Sequence, residues 1–218
     1  MRVALLGGTG DIGEGLSLRL AFHTDHEIIV GSRDRGRARE KAKEYRNELH
    51  SLGEDGSITG TINPEAAKGA DIVIAAVPPY HIRDTVVDLL DEIRGSILVS
   101  PAVGMTHDDD GAHYNPPDDG SVTELIASTV PDDVPVVGAY HNLSADRLAN
   151  LEAELNIDVL LVGDDADAKR AVSLLTSDIE GLRPLDAGQL TNAHEVESLT
   201  PLLINLAANN DGLENVGV

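Results

Sequence analysis

The chain has 218 residues, enough for one doubly wound domain with a small appendage and a core that stands without covalent staples. It contains no cysteine, which excludes a disulfide framework, a thiolate metal site and a cysteine nucleophile. Acidic residues outnumber basic ones 38 to 16, a formal net charge of -22, which argues against nucleic-acid or anionic-membrane partners because both need a basic patch. Clusters such as Asp108-Asp109-Asp110, Asp118-Asp119, Asp132-Asp133 and Asp164-Asp165, with lysine only at Lys41, Lys43, Lys68 and Lys169, resemble the cytoplasmic proteins of salt-accumulating halophiles. Such charges repel one another in dilute buffer, whereas near molar salt the Debye length falls to ~3 Å. No run of ~20 apolar residues offers a membrane span. The first core strand opens the chain, so a cleavable signal is not expected and the cytoplasm is the expected location.

In chain order, strands are expected at 2–7, 27–31, 58–61, 71–76, 96–100, 134–140, 158–163 and 182–186. Helices are expected near 11–23, 35–52, 81–93, 121–129, 145–155, 166–178 and 188–210. Runs such as Ile72-Val73-Ile74-Ala75-Ala76-Val77 are continuously apolar, as buried parallel strands are. The alternation predicts an α/β fold of the Rossmann type, a doubly wound parallel sheet. The acidic, Pro-rich segment 105–120 reads as a loop or excursion. Residues 1–163 are expected to form the dinucleotide-binding domain, and 164–218 a small C-terminal subdomain closing its cleft.

The run Arg2-Val-Ala-Leu-Leu-Gly-Gly-Thr-Gly-Asp-Ile-Gly13 carries the main functional signal. An apolar strand leads into Gly8-x-Gly10-x-x-Gly13 and then into a helix, an arrangement that holds a pyrophosphate. Gly8 is expected at the tight turn, Gly10 where the backbone approaches the phosphates, and Gly13 where helix and strand pack closely. Free N–H groups and the positive dipole end of the helix would face the anion.

The end of the second strand selects the dinucleotide. An NAD enzyme places an acid there to hold the ribose hydroxyls; here Gly31-Ser32-Arg33 follows, with Arg35, Arg37 and Arg39 close behind. A hydroxyl and a guanidinium hydrogen-bond a 2′-phosphate, which a carboxylate would repel, so NADP is favoured over NAD. Asp34 is the dissenting residue, since a different turn could bring it to the ribose.

Several segments should converge outside the carboxyl ends of the strands: Val77-Pro78-Pro79-Tyr80-His81, Ser100-Pro101-Ala102-Val103-Gly104 and Ala139-Tyr140-His141-Asn142. His107 and His113 flank the Asp108–Asp110 run, but their spacing fits no familiar ligand pattern and no metal site is expected. No tyrosine has a lysine four residues on, and there is no Gly-x-Ser-x-Gly elbow. An oxidoreductase built this way needs an acceptor that asks for little proton chemistry. A flavin-like or deazaflavin ring fits, with catalysis mostly a matter of positioning two carbons ~3–3.5 Å apart.

The opening Met1-Arg-Val-Ala-Leu-Leu-Gly-Gly-Thr-Gly10, then Val30-Gly-Ser-Arg33, Ser100-Pro101, Gly163-Asp-Asp165, Gly181-Leu-Arg-Pro-Leu-Asp-Ala-Gly188 and Val196-Glu-Ser-Leu-Thr-Pro-Leu202 resemble the archaeal NADPH-dependent coenzyme F420 reductases over nearly the whole chain. The resemblance implies hydride transfer between NADP(H) and coenzyme F420. It further implies Thr9, Gly10, Asp11 and Ile12 on the phosphates, and Ser32, Arg33 and Arg37 on the 2′-phosphate. Val77, His81, Val103 and Ala145 would line the nicotinamide end. The chain departs from the family at Arg37, where a lysine is usual, at Asn142-Leu143-Ser144 in place of Thr-Ile-Pro, and at Pro79 in place of an aromatic. No catalytic side chain is implied, and monomer and homodimer stay open. Two competing readings are another NADP-dependent reductase of the imine or pyrroline-carboxylate type and a non-catalytic NADPH-sensing module.

Overall fold

The computed structural model describes residues 1–210. The first half of the fold runs β1 (Arg2–Leu6), α1 (Asp11–His23), β2 (Glu27–Ser32), α2 (Arg35–Ser51), β3 (Ile58–Ile62), α3 (Asn63–Ala67), β4 (Ile72–Ala75), α4 (Pro79–Val87) and β5 (Ile97–Ser100). It continues through β6 (Met105–Asp108), β7 (Gly111–Tyr114), α5 (Val122–Thr129), β8 (Val136–Gly138), α6 (Ala145–Ala149), β9 (Ile157–Leu161), α7 (Ala166–Ser177), β10 (Leu182–Asp186) and α8 (Ala193–Asn209).

Six strands form one parallel sheet in the order β3-β2-β1-β4-β5-β8. This is a Rossmann-type α/β fold, and its strand order reverses between β1 and β4, where ligands bind in such sheets. Successive β1 residues feed opposite faces: Val3 and Leu5 pack with Leu16, Leu20 and Tyr45, while Ala4 and Leu6 pack with Ile29, Ile82 and Ile126. Both faces are therefore covered, which is why the strands read as unbroken apolar runs.

The expected strands and helices appear in the expected order, joined by an unexpected short helix, α3, which has Pro64 in its first turn. The expected helix at 81–93 starts two residues early because Pro79 needs no N–H donor in a first turn, and it stops at Val87. The helix expected at 145–155 ends at Ala149. The segment 105–120 is not only a loop: β6 and β7 pair as an antiparallel hairpin from Met105↔Tyr114 to Asp108↔Gly111. Its acidic run is the turn, where Asp108 Oδ1 accepts the Asp110 N–H at 2.9 Å and Gly111 takes φ +124°.

Beyond the main sheet, β9 and β10 make a separate parallel pair joined to it by an antiparallel bridge between Gly138 and Val162. The pair spans residue 163, since β9 precedes it and β10 follows. A 3₁₀ turn at Leu190–Asn192 leads into α8, which crosses back over the carboxyl edge of the sheet. Asn205 fixes α8 to the hairpin, accepting the Ala112 N–H at 2.8 Å and donating to the Ala112 carbonyl at 2.7 Å. Residues 211–218 of the expected subdomain lie outside the described residues.

Candidate active site

The glycine loop leaves β1 through the left-handed Gly7 (φ +71°), and Gly8 stands in the expected tight turn, closed by the Gly10 N–H on the Gly7 carbonyl at 2.9 Å. Gly8 answers to crowding: an added Cβ would lie 2.9 Å from the Leu5 carbonyl oxygen. Gly13 also lies close, with a Cβ there only 2.6 Å from Gly8 Cα. At Gly10 an added Cβ would have 3.5 Å to its nearest neighbour, and the residue lines the cleft, so its open side faces the cleft rather than packed protein. It is the N-cap of α1, and no side chain caps that end, which leaves first-turn N–H groups for an anion.

At the end of β2, Ser32 is buried and its hydroxyl accepts the Asp34 N–H at 3.3 Å. Asp34 itself is committed to capping α2, where its Oδ1 accepts the Arg37 N–H at 2.7 Å. The cap takes up Oδ1, while Asp34 Oδ2 has no hydrogen-bond partner among the described residues. Arg35 pairs with Glu65 at 2.5 Å and holds that exposed carboxyl down to about 2. Arg33 is exposed and makes no hydrogen bond or ion pair among the described residues. Arg37 is exposed too, and its Nη2 reaches the Thr9 carbonyl at 3.5 Å, bringing the guanidinium to the edge of the glycine loop. Two guanidiniums without a carboxylate partner among the described residues and a hydroxyl thus stand at the end of β2 and the start of α2, with Arg37 reaching the glycine loop, a charge arrangement suited to a 2′-phosphate.

A cleft of about 670 Å³ opens from this loop along the switch point. Its walls come from the ends of β1, β4, β5 and β8, and its far side is the face of α8 carrying Thr200, Leu203, Ile204 and Ala207. Gly10, Asp11, Ile12, Val77, Val103 and Ala145, all expected at the cofactor, line this cleft. Thr9 stands just outside the lining, beside Arg37. His81 is exposed on the first turn of α4, also outside the lining. Small and apolar residues such as Ala76, Val77, Ala102 and Val103 on one side and Leu203, Ile204 and Ala207 on the other leave room for flat rings.

His141 lines the cleft as a buried residue, and desolvation lowers its imidazole to about 4. Below it lies Glu197 of α8, fully buried. Its carboxylate accepts the Val122 N–H at 3.0 Å, the Thr123 N–H at 2.9 Å and the Thr123 hydroxyl at 2.8 Å. The Tyr114 hydroxyl approaches at 3.3 Å, so three elements meet on one carboxylate at the α5 N-terminus. Burial still moves the Glu197 carboxyl upward, outweighing the hydrogen bonds that lower it. Thr200, one turn along α8, donates to the His141 carbonyl at 2.9 Å. The sequence showed His141 only as a second histidine at the mouth. Glu197 left one signal, an acid among Val196, Leu199, Leu202 and Leu203.

Residues 2–104 match the family described as "NADP oxidoreductase coenzyme F420-dependent". The F420-dependent NADP reductase of Methanocaldococcus jannaschii is 38% identical, over 94% of this chain and 92% of its own length. That of Methanothermobacter marburgensis is 36% identical, over 100% of this chain and 97% of its own. A solved structure from Arthrobacter sp. FB24, named for F420-dependent NADP reductase, superposes with a TM-score of 0.78 at 25% identity, covering 95% of this chain and 94% of that one. With relatives of this identity matching end to end, the chain belongs to the F420-dependent NADP reductase family.

Proposed function

We propose that this protein transfers hydride between NADP(H) and the deazaflavin coenzyme F420. The observation that carries the reading is a single cleft with a pyrophosphate loop and two unpaired arginines at one end and apolar walls facing α8 at the other. The residues fit the dinucleotide: Gly10 leaves an open cradle, α1 presents an uncapped N-terminus, and Ser32, Arg33 and Arg37 stand where a 2′-phosphate would lie. When bound, NADPH supplies the hydride and the deazaflavin ring accepts it.

The chain's part is positional. Thr9, Gly10, Asp11 and Ile12 hold the phosphates through the loop backbone. Val77, Val103 and Ala145 flatten the pocket around the nicotinamide, with His81 at its outer rim, and the α8 row bounds the second ring. Water is displaced from between the rings, and the reacting carbons are held near contact.

Within the C-terminal subdomain, residues 164–210 are proposed to close the cleft, with α8 as the closing element. The uncharged stretch Ser198–Asn209 of α8, with Leu202 and Leu206 exposed, supports a homodimer through that face, since two copies this acidic repel elsewhere. The acid excess supports a salt-rich cytoplasm as the working environment. No helix among the described residues is long and apolar enough to cross a membrane.

The test is direct. Purified protein mixed with NADPH and the deazaflavin in high salt should bleach the deazaflavin's visible absorbance. Binding of NADPH without turnover would favour a sensing module, and reduction of a cyclic imine instead would favour the imine-reductase reading. Full-length relatives sharing one name support the first outcome.

A further inference from the structure

The hydroxyl of Thr123 carries one proton, and the geometry says where it goes. It is donated to Glu197 Oε1 at 2.8 Å. The same oxygen lies 3.5 Å from His141 Nε2, and with its proton spent it can only accept there. Glu197 Oε1 is 4.0 Å from that nitrogen and can likewise only accept. Both neighbours of Nε2 are therefore acceptors, so in the neutral ring the proton belongs on Nε2. His141 Nδ1 is then a bare lone pair, and it has no partner among the described residues although it is buried. An unpaired buried acceptor costs stability unless a ligand satisfies it.

We infer that Glu197 is a positioning residue of the hydride-transfer site: through Thr123 it keeps His141, a residue of the cleft wall, as the Nε2–H tautomer, leaving the buried Nδ1 as an unpartnered acceptor that an N–H of the bound cofactor pair would satisfy. The same carboxylate ties α8 to the first turn of α5, so tautomer and cleft wall are set by one group. Its location suits that task, because α8 also holds the His141 backbone through Thr200. An N–H donor is offered by the deazaflavin ring and by the nicotinamide carboxamide, and the two are separable by kinetics. The inference rests on the proposed reaction for its ligand but not for its tautomer.

The experiment uses the whole chain in molar KCl with ring-¹⁵N histidine. His141 is assigned as the resonance missing from His141→Asn among the eight histidines. Wild type should show His141 protonated on Nε2. Thr123→Val removes the hydroxyl while leaving both backbone donors to Glu197, and Glu197→Gln places an amide N–H₂ against donors. Both variants should move His141 toward a mixture of tautomers. Each should also raise KM by about tenfold for one of the two cofactors, with kcat changed less. A rise confined to the deazaflavin assigns the N–H to its ring, and a rise confined to NADPH assigns it to the carboxamide. An unchanged tautomer in folded Thr123→Val, or a wild-type proton on Nδ1, overturns the inference. Because the tautomer is read without any acceptor, a wild type that fails to turn over the deazaflavin would refute the proposed reaction and leave this result standing.

Discussion

The guanidinium of Arg19 is buried inside α1 and donates to the Leu148 carbonyl at 2.9 Å and the Ala153 carbonyl at 2.8 Å, with Arg147 and Asn150 also supplying acceptors. These four carbonyls belong to the C-terminal end of α6 and the turn after it. Helix α1 is thus stapled to the segment that places Ala145 in the cleft. Gly15 allows the contact, since a Cβ there would sit 2.5 Å from Leu148 Cβ. Burial lowers the Arg19 pKa, and no carboxylate pairs with it among the described residues. Carbonyl dipoles alone hold the charge.

Arg19→Met should therefore strand four carbonyls and destabilise the fold by about 3 kcal/mol. Arg19→Lys, which keeps charge but not the fork, should recover only part of that loss. Denaturant melts in constant salt measure both. A neutral Arg19→Met would mean that water satisfies the α6 end equally well.

Buried titratable groups give a pH signature. The imidazole of His141 is held at about 4, below its ordinary 6.5, so the unfolded chain takes up that proton first. Its contribution is complete above pH 6.5 and is lost as pH falls toward 4, by up to about 3 kcal/mol. Glu197 acts with the opposite sign. Its folded pKa is raised, so its contribution is complete below 4.5 and is lost as pH rises through the folded value. The two windows overlap, so the informative quantity is a difference. The stability gap between wild type and His141→Asn should shift toward the variant by about 3 kcal/mol between pH 7 and pH 4. A constant gap would show His141 to be charged or solvated in the fold.

What was readable in the chain were features whose causes are local in sequence. The β1–glycine–α1 unit reads correctly to the residue at Asp11 and His23, because its glycines and apolar strand are contiguous. The order of alternating elements follows from the same kind of signal. Gly8 stands in the expected tight turn, while the left-handed residue that begins it is the adjacent Gly7, a division of labour that sequence cannot separate. The early end of α6 was hidden, because it coincides with carbonyls claimed by an arginine 128 or more residues away. Glu197 was hidden for the same reason, its partners Val122 and Thr123 lying 75 and 74 residues earlier. Of the acidic pairs read as repelling loops, several have duties: Asp165 caps α7, Asp164 accepts the Leu190 N–H, and Asp133 pairs with Arg94.

Those duties leave most of the acid excess unpaired. With 38 acidic against 16 basic residues, the folded surface repels itself wherever screening is weak. The melting temperature should rise from dilute buffer to molar KCl, as the Debye length falls from ~10 Å at 0.1 M to ~3 Å. Ion pairs such as Arg94–Asp133 will weaken over the same range, but exposed pairs contribute little. A flat or falling curve would refute the halophilic reading.

Arg33 makes the sharpest functional prediction. It is exposed at the end of β2 without a protein partner among the described residues, so removing it should leave the melting temperature unchanged. A charge-assisted hydrogen bond to the 2′-phosphate is worth roughly 1.5–3 kcal/mol. Arg33→Ala should then raise the NADPH KM by about 10- to 150-fold while kcat stays close to wild type, because binding is lost equally from ground and transition states. NADH, which lacks the phosphate, should be used as well as before. Molar KCl screens the pairing and favours the lower end of the range. Arg37, held near Thr9, should retain part of the NADP preference in the single variant, and Arg33→Ala with Arg37→Ala should abolish it. Equal loss with both cofactors in Arg33→Ala would make the residue structural and move the 2′-phosphate to other groups.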